Sequence, residues 1–323
     1  MASIYIGDTP QKQLRFICAQ PANEYYAWQV EVLLTNFRKH GINLNQVDIV
    51  CWKIDGVIPQ SWIKLANGYA ARFFFYDDTR ETKHYISSIR PNILKQHWEK
   101  YPELKDDAIF YHDCDILFTK PPTEWITDTM ISDKKWYGSD TRWYIGHTYI
   151  KSKGVDILDK MCEIVGIDKG EIESNELANI GAQYLMKNID FSFWDKVERD
   201  SERLFKEITE LSGIKKEENP NYHELQIWCA DMWAVLWNGW LRGNQTICHE
   251  NFDFSWATSP EEEFHRKNIF HNAGVVHNKQ QLFYKADYME RYPYDETLTL
   301  LNNTASYQYW LAICEAAKQT KLL

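Results

Sequence analysis

The feature that most constrains the fold is the order in which hydrophobic periods change over the first eighty residues. "LRFICAQ" (14–20) is a short apolar run of strand length. A turn at "PANE" follows, and then "YYAWQVEVLLTNFRKHG" (25–41), whose apolar positions recur at helical spacing and stop at Gly41. "QVDIVCWKI" (46–54) and "RFFFYDD" (72–78) read as the second and third strands. Strand, helix, strand implies a βαβ unit and a parallel sheet, because a helical crossover returns the chain to the same end of the sheet. Ligands of such sheets sit beyond the carboxyl ends of the strands.

The fourth strand carries the most informative motif. In "FYHDCDILF" (110–118) two aspartates stand one residue apart inside an apolar run. An unbroken strand would put Asp113 and Asp115 on the same face as Ile109, Tyr111 and Leu117. Two unpaired carboxylates on an apolar face are costly, so either the strand ends there or positive charge meets them. A divalent cation with a diphosphate across it satisfies both conditions. Alone, Asp-x-Asp is as compatible with a solvated turn; the flanking β-branched and aromatic residues argue against that.

The 323 residues suffice for a core without staples, and no repeat or low-complexity linker divides them. The expectation is one domain over 1–323, with a nucleotide-binding half (1–120) and an acceptor-binding half (121–323). A formal charge of −10 argues against a protein that coats nucleic acid. Seven scattered cysteines without a C-x-x-C pair, no leader-like N-terminus and no uncharged run of membrane length imply a cytoplasmic protein with reduced thiols. Fourteen tryptophans read mainly as core, with some available as stacking platforms for sugars or bases.

Further along, "HYISSIRPNILKQHWEKYPEL" (84–104) predicts a helix begun or interrupted near Pro91, and "KKWYGSDTRWYIGHTYIKSKG" (134–154) an aromatic strand region. Residues 195–219 predict a solvated amphipathic helix with Leu204, Phe205, Ile208 and Leu211 inward. "HELQIWCADMWAVLWNGWLRG" (223–243) predicts a strongly apolar helix. On it Asp231 is either a buried structural acceptor or a carboxylate kept for a cleft, where burial would raise its pKa toward that of a general base. Glu224 is the reserve. "IFHNAGVVHN" (269–278) offers His271 or His277 as an imidazole partner for the Asp pair.

Taken in order, "YAWQVEVLLTNFRKHG", "SIRPNIL", "DDAIFYHDCDILFTKP", "NIGAQYLM", "WCADMWAVLWNGW", "FDFSWATS" and "IFHNAGV" resemble GT-A glycosyltransferases. The likeness is to the peptidyl-serine galactosyltransferase and hydroxyproline arabinosyltransferase group and its uncharacterised bacterial and viral relatives. It implies an α/β fold, a mixed central sheet flanked by helices, and transfer of a hexosyl or pentosyl unit from a nucleotide sugar, most simply a UDP-sugar, with Mn²⁺ or Mg²⁺. It matches Asp113, Asp115 and His271 to metal ligands, while the catalytic position is left to Asp231, with Glu224 behind it, on the reading of the apolar helix given above. Arg90 stands where the family often has Lys, and Gly181, Ala182 and Gln183 where a small-residue turn admits a sugar. Gln20 and Lys285 complete the set assigned to the nucleotide sugar. The acceptor stays open between a glycan, a protein hydroxyl and a hydroxymethylated base of viral DNA. So does the choice between inversion and retention. A sugar-binding module and a metal-dependent nucleotidyltransferase or phosphohydrolase are the competing functions.

Overall fold

The computed structural model describes residues 13–275 and 281–320. Among the described residues ten strands form two sheets. The large one contains β1 (Leu14–Pro21), β2 (Val47–Trp52), β3 (Arg72–Tyr76), β4 (Ala108–Tyr111), β6 (Trp136–Asp140), β7 (Ile180–Met186) and β8 (Thr246–Cys248). Its order is β3-β2-β1-β4-β7-β6-β8. The first four strands are parallel, whereas β7 runs antiparallel to both β4 and β6. The small sheet joins β5 (Ile116–Phe118), β9 (Phe254–Trp256) and β10 (Ile269–His271) in the order β5-β10-β9.

The βαβ expectation holds because alternate residues of each strand serve opposite layers. Phe16, Cys18, Ala108 and Phe110 pack with the Glu24–Lys39 and Gln60–Gly68 helices, while Ile17, Ala19, Ile109 and Tyr111 face the other core. That second core is closed by helices Ile89–Lys100, Val155–Val165, Phe191–Glu218 and Ala230–Leu241. β1 has β2 on one side and β4 on the other, so the strand order reverses beside it and leaves a crevice at the carboxyl ends. A third core lies between the small sheet, the Glu24–Lys39 helix and the helix Ala305–Thr320. Ten tryptophans are buried, in keeping with their reading as core.

Three local expectations are corrected. After β6 the 134–154 segment turns into two short helices, Arg142–Ile145 and His147–Lys153, which bury Tyr144 and Ile145 in a neighbouring core and leave Trp143 exposed. The 223–243 helix is shorter: it begins at Ala230 after a 3-10 turn, leaving Glu224 on the preceding loop. The charge-rich helix spans Phe191–Glu218 and is not merely a solvated face, since Glu198, Asp200 and Glu202 are buried. Leu204 and Ile208 are buried as expected, and Phe205 and Leu211 half-buried. Each buried acid has partners: Glu198 pairs with Lys95 at 2.8 Å, Asp200 with Lys196 at 2.6 Å, and Glu202 accepts the His84 amide at 2.8 Å. Helical periodicity records apolar residues but not buried acids that bring their own partners.

At the other end of the parallel strands, Asp48 is fully buried between Arg72 (2.6 Å), Arg15 (3.6 Å) and His97 (3.3 Å). Burial alone would raise its pKa, yet His97 and Arg72 pull it below the ordinary carboxylate range. Burial lowers the His97 pKa from 6.5, more than Asp48 raises it, so the ring is neutral and lies 2.9 Å from the Tyr76 hydroxyl. Both shifts act in one direction on acidification. The unfolded chain takes up a proton at its histidine near pH 6.5 that the fold resists, and Asp48 is protonated only at still lower pH. We expect a melting temperature that declines as pH drops below about 6.5. Asp48→Asn, which leaves the half-buried Arg15 and Arg72 without their buried carboxylate, should lower the melting temperature at pH 7. An unchanged melt of that variant at pH 7 would refute the assignment.

Candidate metal and donor site

The strand question posed by the Asp pair has a structural answer: β4 stops at Tyr111 and the chain turns into the small sheet. His112, Asp113, Cys114 and Asp115 form the link to β5. His112 is buried and neutral, its pKa pushed down to about 4 by burial. Its Nδ1–H donates to the Asp113 carbonyl at 2.8 Å, which fixes the turn. In the small sheet His271 pairs with Ile116, and the Asn272 amide donates to the Asp115 carbonyl at 3.0 Å. A histidine more than 150 residues away in sequence is thereby held against the Asp pair by backbone register.

His271 Nε2 lies 3.5 Å from Asp113 Oδ2 and 3.3 Å from Asp115 Oδ1. One ligand atom from each of the three residues lies within 4.8 Å of the others. Two carboxylate oxygens and one imidazole nitrogen suit a hard divalent cation such as Mn²⁺ or Mg²⁺. Protein cations also reach the carboxylates. Arg90 Nη1 is 2.6 Å from Asp113 and Lys285 pairs with Asp115. Burial would raise the Asp115 pKa, but Lys285 and His271 hold it well below the usual range. For Lys285 burial works against the charge, and Asp115 outweighs it.

Two cavities meet at this cluster. The first, about 230 Å³, opens at the crevice beside β1 and is lined by Gln20, Tyr25, Tyr26, Asp115 and Lys285. The second, about 560 Å³, is walled by Trp143, Trp228, Trp256, Tyr184 and Asp231. Arg90, Asp113 and His271 line both. Arg90 is held in the first turn of the Ile89–Lys100 helix, and Glu202 anchors the approach to that helix through the His84 and Tyr85 amides and the Ser88 hydroxyl. This is what Glu202 of the charge-rich helix accomplishes.

No family model matches the chain, and no curated protein does. Solved structures do match in shape. WbbM, a bifunctional glycosyltransferase, superposes with a TM-score of 0.50 at 10% identity, over 97% of this chain and 53% of that one. The fold is GT-A-like. GlyE, a glycosyltransferase of Streptococcus pneumoniae TIGR4, gives a TM-score of 0.43 at 11% identity, covering 95% of this chain and 63% of that one. A glycosyltransferase involved in glycosylation of the major capsid of PBCV-1 gives 0.36 at 12%, covering 81% and 94%. The chain thus spans about half the length of WbbM. At 10% identity the likeness to WbbM is one of fold.

The remaining candidates divide. Asp231 is buried beside the second cavity but is not surrounded by apolar groups: Arg90 Nη2 is 3.1 Å from Oδ2, and the Tyr85 hydroxyl is 2.8 Å from Oδ1. Glu224 is exposed, pairs with Lys216 at 3.1 Å and lines neither cavity. Gly181, Ala182 and Gln183 lie within β7, not on a turn, where the pairing with β6 is irregular. A Cβ at Gly181 would stand 2.6 Å from Met232, so this glycine serves close packing. Ala182, at φ 62°, lines the second cavity. His277 lies outside the described residues. Among the described residues no helix is long and apolar enough to cross a membrane.

Gln183 is fully buried, and its amide nitrogen is 3.3 Å from His271 Nδ1, while its Oε1 has no partner. Amide orientation is a matter of assignment, and with the oxygen turned to the ring it accepts Nδ1–H. The Nε2 lone pair then faces the carboxylates, as a metal-ligating histidine requires. We expect Mn²⁺ at 100 times its Kd to raise stability by about 2.7 kcal/mol. Asp115→Asn should abolish that shift, and Gln183→Leu should weaken Mn²⁺ affinity about 10-fold or more while leaving a cooperative melt. A wild-type Mn²⁺ titration in Gln183→Leu would show that the amide does not orient the ring.

Proposed function

We propose that the protein is a metal-dependent glycosyltransferase that moves a sugar from a nucleotide-diphosphate donor, most simply a UDP-sugar, to an acceptor hydroxyl. The observation that carries this reading is the junction of two cavities at one Asp, Asp, His cluster. A group-transfer enzyme needs a donor space and an acceptor space sharing the reacting centre, and Arg90, Asp113 and His271 belong to both.

In this reading the nucleotide lies in the first cavity. Gln20 Oε1, buried and without a partner, is an acceptor for a base N–H. Its Nε2 is held by the Val50 carbonyl at 3.1 Å, so the oxygen points the same way throughout. The Tyr26 phenol, whose pKa burial pushes up to about 12, remains protonated and available as a donor. Asp113, Asp115 and His271 would hold the cation, which would neutralise the departing diphosphate. Arg90 and Lys285 add positive charge on the same side, where charge grows as the sugar–phosphate bond breaks.

Asp231 lies at the acceptor side and takes the proton of the attacking hydroxyl. Its Oδ1 is held by Tyr85, whose pKa burial and the Asp231 charge both raise, so the phenol stays a donor. Arg90 ties Asp231 to Asp113, fixing the base relative to the donor phosphates. With a base opposite the leaving group, substitution inverts the anomeric centre.

Two outcomes test this. Asp113→Asn should abolish turnover of UDP-sugar with Mn²⁺ while the protein still melts cooperatively. Asp231→Asn should cut transfer at least about 100-fold and leave the stabilisation by UDP and Mn²⁺ in place. Product stereochemistry read by NMR should show inversion; a retained anomer would remove Asp231 from the role of base.

A further inference from the structure

The tryptophans carry an inference about the acceptor. Of fourteen, ten are buried, Trp52 and Trp256 are half-buried, and only Trp143 and Trp228 are exposed, at 64% and 62%. Both exposed rings and the half-buried Trp256 line the second cavity. A sequence that buries its tryptophans so thoroughly leaves two of them open only at one place. The Trp143 and Trp256 rings meet edge-on at 6.1 Å, and Trp256 lies 6.4 Å from His271 in a nearly parallel plane. An aromatic wall therefore runs from the mouth of the cavity to the candidate metal ligand.

The polar groups of the cavity are few and specific. Tyr184 is 3% exposed, and its hydroxyl is buried without a hydrogen-bond partner. A buried phenol without a partner is costly, and a ligand bearing hydroxyl groups would satisfy it. Asp231 and Arg90 supply an acceptor and a donor beside it. The charged side chains lining the cavity are one arginine against two aspartates, on a chain of net charge −10. Such a site offers no attraction to a phosphodiester backbone.

Resting on the glycosyltransferase reading, we infer that the acceptor is a neutral saccharide, whose apolar ring faces stack on Trp143, Trp228 and Trp256. Its hydroxyls meet Tyr184, Arg90 and Asp231. Sugar rings present flat patches of C–H on one side and hydroxyls at the edge, and this cavity presents aromatic faces and isolated polar groups in the same combination. A hydroxymethylated base within DNA would also stack, but the cavity, lined by one arginine against two aspartates, offers its phosphodiester backbone no cationic track.

The experiment uses the full chain with UDP and Mn²⁺ on an array of neutral gluco-, galacto- and manno-configured oligosaccharides. A hydroxymethylcytosine oligonucleotide and Ser-, Thr- and hydroxyproline-containing peptides are printed beside them. We expect saturable retention on a subset of the neutral glycans, weakened at least about 10-fold by Trp143→Ala and by Trp228→Ala. Both residues are exposed, so both variants should melt as the wild type does. No retention on any neutral glycan, retention on the oligonucleotide or peptides instead, or glycan retention indifferent to both substitutions would overturn the inference. Thermal stabilisation by UDP plus Mn²⁺ is read in parallel. Its absence, with tryptophan-dependent glycan retention intact, would refute the donor reading and leave the saccharide cavity standing.

Discussion

The placement of two carboxylates close together in a partly buried turn is the constraint around which this molecule is arranged. Asp115 is nearly inaccessible and Asp113 about one-third exposed, so their mutual repulsion is poorly screened. The structure answers with three cationic or ligating groups from distant parts of the chain: Arg90 from a helix start, Lys285 from the C-terminal region and His271 from the small sheet. Each must be held firmly for the turn to survive. The buried Glu202, the register of β5 with β10 and the Gln183 amide supply that support.

Strand termination is what makes the arrangement possible. If β4 continued through Asp113, the carboxylates would enter an apolar layer. By ending at Tyr111 and restarting as β5 in a second sheet, the chain places the turn at the open end of the parallel strands. That end adjoins the reversal of strand order beside β1, where a crevice exists for topological reasons. The Asp, Asp, His cluster, the smaller cavity and the Arg90 link to Asp231 therefore coincide there. The larger cavity is then free to take its character from later segments, the Arg142–Ile145 turn, β9 and the start of the Ala230–Leu241 helix.

Much of this was legible from local pattern. The parallel start follows from changes of period, the Asp pair from its improbable apolar surroundings, and the 269–278 segment, with His271 or His277, from the imidazole partner that such a pair can take. The 134–154 region misled because a dense run of aromatics has no clean period, and neighbouring cores decided its helical form. The 195–219 helix is legible from its apolar stripe but the burial of its acids is not, since nothing local distinguishes an exposed glutamate from one that anchors a distant amide. Tyr85 and Tyr184 gave no signal, because a tyrosine acquires a site role only from what its hydroxyl meets.

By itself the sequence determined the layers, the helices' buried stripes, that the fourth strand either ends at the Asp pair or meets positive charge there, and the residue types able to bind a hard cation. These depend on near neighbours and on periodicity. Only the tertiary structure decided which histidine meets the aspartates, that Arg90 spans Asp113 and Asp231, that Glu224 stands apart on an exposed loop, and that three tryptophans among fourteen line one cavity. Those facts depend on sheet register and on packing between segments 100 or more residues apart, where a shift of one residue reverses the face a side chain presents.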